Sequence, residues 1–102
     1  MKLSYQRVKV LREFYESDTP ELSGADVRRV TGLGSGSAYP ILVVLEERGM
    51  LVSRWETEAP ADLGRPRRRL YKLTSFGVDA YRQAFSEIAP TRGLPSLRPN
   101  EV

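Results

Sequence analysis

Residues 23–49 read SGADVRRVTGLGSGSAYPILVVLEERG, and the fold is decided in this stretch. Ser23 is a helix N-cap, since its hydroxyl can accept from an orphan amide of the first turn, and Asp26 makes a weaker relative of a capping box. Ala25, Val27 and Val30 recur at helical spacing, which predicts a helix over 24–31. Thr31-Gly32-Leu33-Gly34 ends it, with Gly32 able to take the left-handed conformation that closes a helix at low cost. A second helix is predicted from Ser35 to Arg48, with Leu42 and Leu45 inward, Gly49 as its C-cap and Pro40 tolerated near the first turn. Two helices joined by a short Gly-containing turn form a helix-turn-helix, whose second member is the one that enters a major groove.

Toward the N-terminus, residues 4–17 predict a further helix: Val8, Leu11, Phe14 and Tyr15 share a face, Ser4 caps it and Asp18-Thr19-Pro20 stops it. Glu21-Leu22-Ser23 is a short extended link or one minor strand. Toward the C-terminus, Leu51, Ser53, Trp55 and Thr57 alternate with Val52, Arg54 and Glu56, a strand pattern. Residues 59–66 read as a loop by their Pro and Gly content, and Arg68 to Leu73 as the returning strand, ended by Thr74. A last helix, capped by Thr74 or Ser75, is predicted to about Ala89 along Phe76, Ala80 or Tyr81, Ala84 and Ile88. Pro90, Pro95 and Pro99 predict a loose tail over 90–102. The expected fold is therefore α+β, a winged helix-turn-helix: a three-helix core, a β-hairpin wing and a short C-terminal helix within 1–89.

Composition narrows the function. The 102 residues include no cysteine and no histidine, which removes disulfides, thiolate nucleophiles, the usual zinc ligand sets and every scheme with an imidazole base. Glu46-Glu47 and Glu56/Glu58 lie in polar, charged surroundings that give no reason for a raised carboxyl pKa. No enzyme, metal or cofactor is expected. No apolar run is long enough for a membrane span, and the N-terminal residues 1–7 lack the apolar core of a signal peptide, so a cytoplasmic protein is expected. The net charge is +3, yet residues 62–72 hold five basic side chains against one acidic. The whole basic excess thus falls on the tip and second arm of the hairpin, as a polyanion site requires.

Several stretches together resemble one family. They are Gly36-Ser37-Ala38-Tyr39-Pro40-Ile41-Leu42, Leu45-Glu46-Glu47-Arg48-Gly49, Trp55, Gly64-Arg65-Pro66-Arg67-Arg68 and Tyr71-Lys72-Leu73-Thr74 with Gly77. Over about residues 5–85 this is similar to the PadR family of bacterial transcriptional regulators. The resemblance implies a winged helix that binds operator DNA, usually as a homodimer and usually as a repressor. It implies DNA contacts from Ser35, Gly36 and Ser37 at the start of the recognition helix, and from Arg65, Arg67 and Arg68 on the wing. Tyr39 is either a phosphate contact or a core aromatic, Lys72 either a contact or a solubilising side chain, and Trp55 a packing residue of the hairpin.

Two departures stand out. Ile41 to Leu45 is apolar throughout, where relatives tend to be polar or basic at the positions of Val43 and Val44. Pro90 is expected to cut short the helix that relatives extend into a dimerising arm. Pairing is then expected from Leu3, Leu11, Phe14 and Tyr15 of the first helix with Tyr81, Phe85 and Ile88 of the last. The competing function is a winged-helix protein-interaction module docking through Val43 and Val44. Four arginines between 65 and 69 favour double-stranded DNA as the partner, and no residue set points to a small-molecule effector.

Overall fold

The computed structural model of the protein describes residues 3–92, and their side chains as far as Glu87. The elements run α1 (Tyr5–Glu16), β1 (Leu22–Ser23), α2 (Gly24–Thr31), α3 (Ser35–Glu47), β2 (Leu51–Trp55), α4 (Pro60–Leu63), β3 (Arg69–Leu73) and α5 (Ser75–Arg92). The strands form one antiparallel sheet in the order β1-β3-β2. This is the winged helix-turn-helix that the sequence pattern predicts.

Local chemistry explains most of the boundaries. Ser4 caps α1 by accepting from the Arg7 amide at 3.3 Å. At α2 the box is complete: Ser23 Oγ accepts from the Asp26 amide at 3.1 Å, and the Ser23 amide donates to the Asp26 carboxylate at 3.0 Å. The bond from the Ser23 amide, joined by one from Arg29 at 3.1 Å, holds the Asp26 carboxyl below its ordinary pKa. Gly32 and Gly49, which follow α2 and α3 closely, take positive φ of 76° and 78°. Pro40 is the sixth residue of α3, just past the first turn. Its missing N–H leaves the Gly36 carbonyl without a helical bond, but Gly36 is exposed and water can replace that donor.

The core lies where α1, α2, α3 and α5 converge on the sheet. Leu11, Val27, Leu42, Leu45, Met50 and Tyr81 have no exposed surface. On α2 Val27 alone of the predicted stripe is buried, while Ala25 and Val30 face outward. Helix α1 packs along α5, with the Tyr15 and Tyr81 rings 4.7 Å apart and those of Tyr81 and Phe85 5.7 Å apart. This corrects the expected pairing face. Leu3, Leu11, Phe14, Tyr81 and Phe85 are buried within the protomer, and Tyr15 is half-buried against Tyr81. A domain this small needs the apolar faces of both terminal helices to complete its own core. The side chain of Ile88 lies outside the described residues.

Helix α5 also runs to Arg92, through Pro90, instead of ending near Ala89. Proline's fixed φ is itself helical, and so near a C-terminus its missing donor costs only one late bond. Phe76, expected on the inward stripe, is exposed at the start of this helix. Thr74 fixes that start: its hydroxyl donates to the Gly49 carbonyl at 2.6 Å and accepts from the Gly77 amide at 2.9 Å. Gly77 lies so close to the Met50 carbonyl that a Cβ there would collide with it.

Candidate nucleic-acid interface

The wing is β2, the connection through α4, and β3. Where a plain loop was expected over 59–66, Pro60 opens a single helical turn and Gly64, at φ 69°, closes it. That is the Pro-first, Gly-last pattern of a helix in miniature. The base of the connection is held by Glu56. Its carboxylate accepts from both terminal nitrogens of Arg65, at 2.7 and 3.1 Å, and from the Arg68 amide at 2.8 Å. These bonds, led by the one from Arg65, lower the Glu56 pKa to about 2 and raise that of Arg65. Arg65 is thereby tied into the wing's own framework, with its charge paired to Glu56.

Strand alternation sorts the remaining cations by face. Trp55 pairs with Arg69, Ser53 with Tyr71 and Leu51 with Leu73, so these six share one face of the sheet. Lys72 pairs with Val52 and therefore stands on the other face, away from Tyr71 and α3. There it joins the pair of Arg54 with Glu21, whose two hydrogen bonds are both 2.8 Å. Those bonds, with a smaller contribution from Lys72, keep the Glu21 carboxyl below its ordinary pKa. Lys72 thus stands apart from the arginines that line the cleft on the first face, and of its two expected roles this placement fits the solubilising side chain.

On the first face a cleft of about 380 Å³ opens between the start of α2, Tyr39 of α3 and Arg67, Arg68 and Arg69 of the wing. Tyr39 is 41% exposed, which overturns its reading as a core aromatic. Its ring leans on Gly24, where a Cβ would not fit. Burial along the inward positions of β2 falls from Leu51 to Ser53 to Trp55, which is 57% exposed. Trp55 was expected to pack within the hairpin, but it is exposed at the far end of its strand, with the Arg69 guanidinium over its ring at 5.3 Å from the centroid. Arg69 also donates to Ser53 Oγ at 2.9 Å, and Ser53 in turn donates to Glu46 of α3 at 2.6 Å. Sequence reasoning missed this tie between α3 and the wing, and the one signal for it was that Ser53, Trp55 and Arg69 fall on inward positions of paired strands.

Two cations remain turned outward. Arg67 is exposed, and among the described residues it donates only to the Glu58 carbonyl, at 2.9 Å. Arg68 is exposed, and among the described residues its side chain has no hydrogen bond or ion pair. Helix α3, whose Tyr39 lines the cleft with them, is preceded by Gly34, which supplies no side-chain cap. Ser35, Gly36 and Ser37 are exposed there, so the positive end of that helix is open to an anion. Among the described residues no three His, Cys, Asp or Glu side chains stand together to hold a metal ion, and no helix is long and apolar enough to cross a membrane.

A short helix-turn-helix, its second helix uncapped and a basic hairpin beside it define a winged-helix protein. Solved structures of the same shape include a PadR family transcriptional regulator from Eggerthella lenta, at 19% identity and TM-score 0.69, over 84% of this chain and 73% of that one. A MarR mutant from E. coli complexed with operator DNA aligns at 16% identity and TM-score 0.67, over 87% of this chain and 58% of that one. AbfR of Staphylococcus epidermidis aligns at 19% identity and TM-score 0.68, over 91% and 56%. No curated protein matches the sequence. The Transcriptional regulator PadR-like family matches residues 25–83, more than half of the chain. The chain belongs to that family and is a DNA-binding transcription regulator.

Proposed function

We propose that the protein is a sequence-specific repressor that binds operator DNA as a homodimer, with α3 in the major groove and the wing along the backbone. The observation that carries this is the setting of two outward arginines, Arg67 and Arg68, around one cleft with Tyr39 of α3, a helix whose start has no side-chain cap. Guanidinium groups and open amides are the donors that phosphate oxygens take. In this reading Ser35, Gly36 and Ser37 meet phosphates and base edges, Tyr39 directs its phenol to a phosphate, and Arg67 and Arg68 follow the backbone beside it.

The homodimer follows from what one such domain can do. A single winged helix buries too little DNA interface for strong discrimination, and two-fold pairing doubles it on a palindromic site. The inner faces of α1 and α5 are engaged in the protomer core, so the pairing surface is assigned to their outer sides. Selection of bound duplexes from a random pool tests both claims. An enriched palindrome, bound with an affinity that falls steeply with salt, is the expected result. Salt-insensitive binding with no enriched sequence would overturn the reading in favour of a protein-docking module.

A further inference from the structure

Between Ser35 and Leu45, α3 carries no charged side chain. Its outward row is Gly36, Tyr39, Val43 and Glu47, at steps of three and four residues. Val43 is 51% exposed and stands one turn beyond Tyr39, whose ring lines the cleft with Arg67 and Arg68. A duplex seated on those arginines therefore meets a branched apolar side chain in the middle of α3. Forked recognition of guanine takes Arg or Lys and that of adenine takes Asn or Gln, and α3 has none of these. The apolar group that a base pair offers in the major groove is the 5-methyl of thymine. Of the two carboxylates that end α3, Glu46 is held toward the sheet by Ser53, and the exposed Glu47 stands a full turn beyond Val43.

We propose that Val43 is a specificity-determining residue, packing its methyl groups on the 5-methyl of a thymine in each half-site. The inference rests on the reading of α3 as the groove-facing helix. Contact between two methyl-bearing surfaces releases water from both and leaves no polar group unpaired, so it favours thymine over cytosine and over any base lacking the methyl. The selectivity is of the modest, shape-based kind and adds to whatever the hydroxyls of Ser35 and Ser37 read at the helix start.

The test uses the duplex enriched by selection, with each thymine replaced in turn by deoxyuridine, which keeps the pairing and removes only the methyl. At one or two thymines per half-site, wild-type affinity falls about fourfold, the equivalent of one buried methyl. Val43→Ala loses that difference, while Val52→Ala, on the opposite face of the sheet, retains it. Val43 is exposed, so both proteins are expected to melt like the wild type. Equal binding of thymine and deoxyuridine duplexes at every position, or a methyl effect that survives in Val43→Ala, overturns the assignment while leaving the operator reading intact. Absence of any salt-dependent binding overturns both.

Discussion

The helical core and the wing are held together by opposite means. In the core, Leu11, Val27, Leu42, Leu45 and Tyr81 are wholly enclosed, and cohesion is apolar burial. In the wing, α4 has no buried residue, and order comes from Glu56 gathering Arg65 and the Arg68 amide, with Arg67 on the Glu58 carbonyl. Such exposed pairs contribute little to global stability, but they fix the shape of the hairpin. Its cations therefore divide between those that build the wing and those left to meet a partner. A count of arginines overstates the charge that a ligand encounters.

The sharpest break between the two regions comes from the core. Leu42→Ala is expected to destabilise the protein by about 2–5 kcal/mol, since a fully enclosed leucine leaves a cavity that neighbours fill only in part. Urea unfolding measures this. A loss no larger than that of Val43→Ala, its exposed neighbour, would contradict the core as described. The wing answers differently. Arg67→Ala and Arg68→Ala together should leave the urea midpoint in place, weaken binding to all duplexes, and flatten the salt dependence by about 0.9 per lost phosphate contact. An unchanged slope would mean that these side chains do not touch the backbone.

What the sequence made legible follows the same division. Ser23 with Asp26, the glycine at 32, the inward Leu42 and Leu45 and the strand alternation are short-range patterns, and they place the helices and hairpin correctly. The pairing of Arg65 was not legible because its partner Glu56 lies nine residues away across the hairpin, a contact no local rule supplies. The role of Lys72 stayed open between two readings because its face depends on the register of β3 with β2. Leu3, Leu11 and Phe14 were read as surplus apolar surface, since the demand of a core closed by α5 is visible only in three dimensions. Pro60 and Gly64 were different: the signal for a helical turn was present, and the general association of these residues with loops concealed it.

The bond network at Glu56 gives a pH prediction. Its carboxyl is held at about 2 against an ordinary 4.5, so the folded form favours the charged state. The contribution to wing order is fully present above pH 4.5 and is lost as pH falls from there through about 2. Glu56→Gln should reproduce the acid state at neutral pH. Hydrogen exchange at the Arg68 amide should then quicken while amides of α1 and α5 stay protected. Equal exchange in variant and wild type would show that Glu56 is not what holds the hairpin.

The smallest expected effect falls at Tyr39, where the two regions meet. Its ring rests on Gly24 at the start of α2, and that contact needs no hydroxyl. Tyr39→Phe keeps the ring and removes only the oxygen, so the melting temperature should not change. In the free protein the hydroxyl is at a surface that is 41% exposed, where water satisfies it. On DNA the same group would give one hydrogen bond to a phosphate oxygen, and the charge on the acceptor makes such a bond worth about 1.5–3 kcal/mol at most. Exchange of a water partner on binding reduces this, so a loss of about 1 kcal/mol in affinity is expected, independent of sequence because phosphates carry no base identity. Gly24→Ala should cause a comparable loss by a different route, displacing the ring with the hydroxyl still present. If Tyr39→Phe binds like the wild type while Gly24→Ala does not, the ring itself is the contact and the phenol is not.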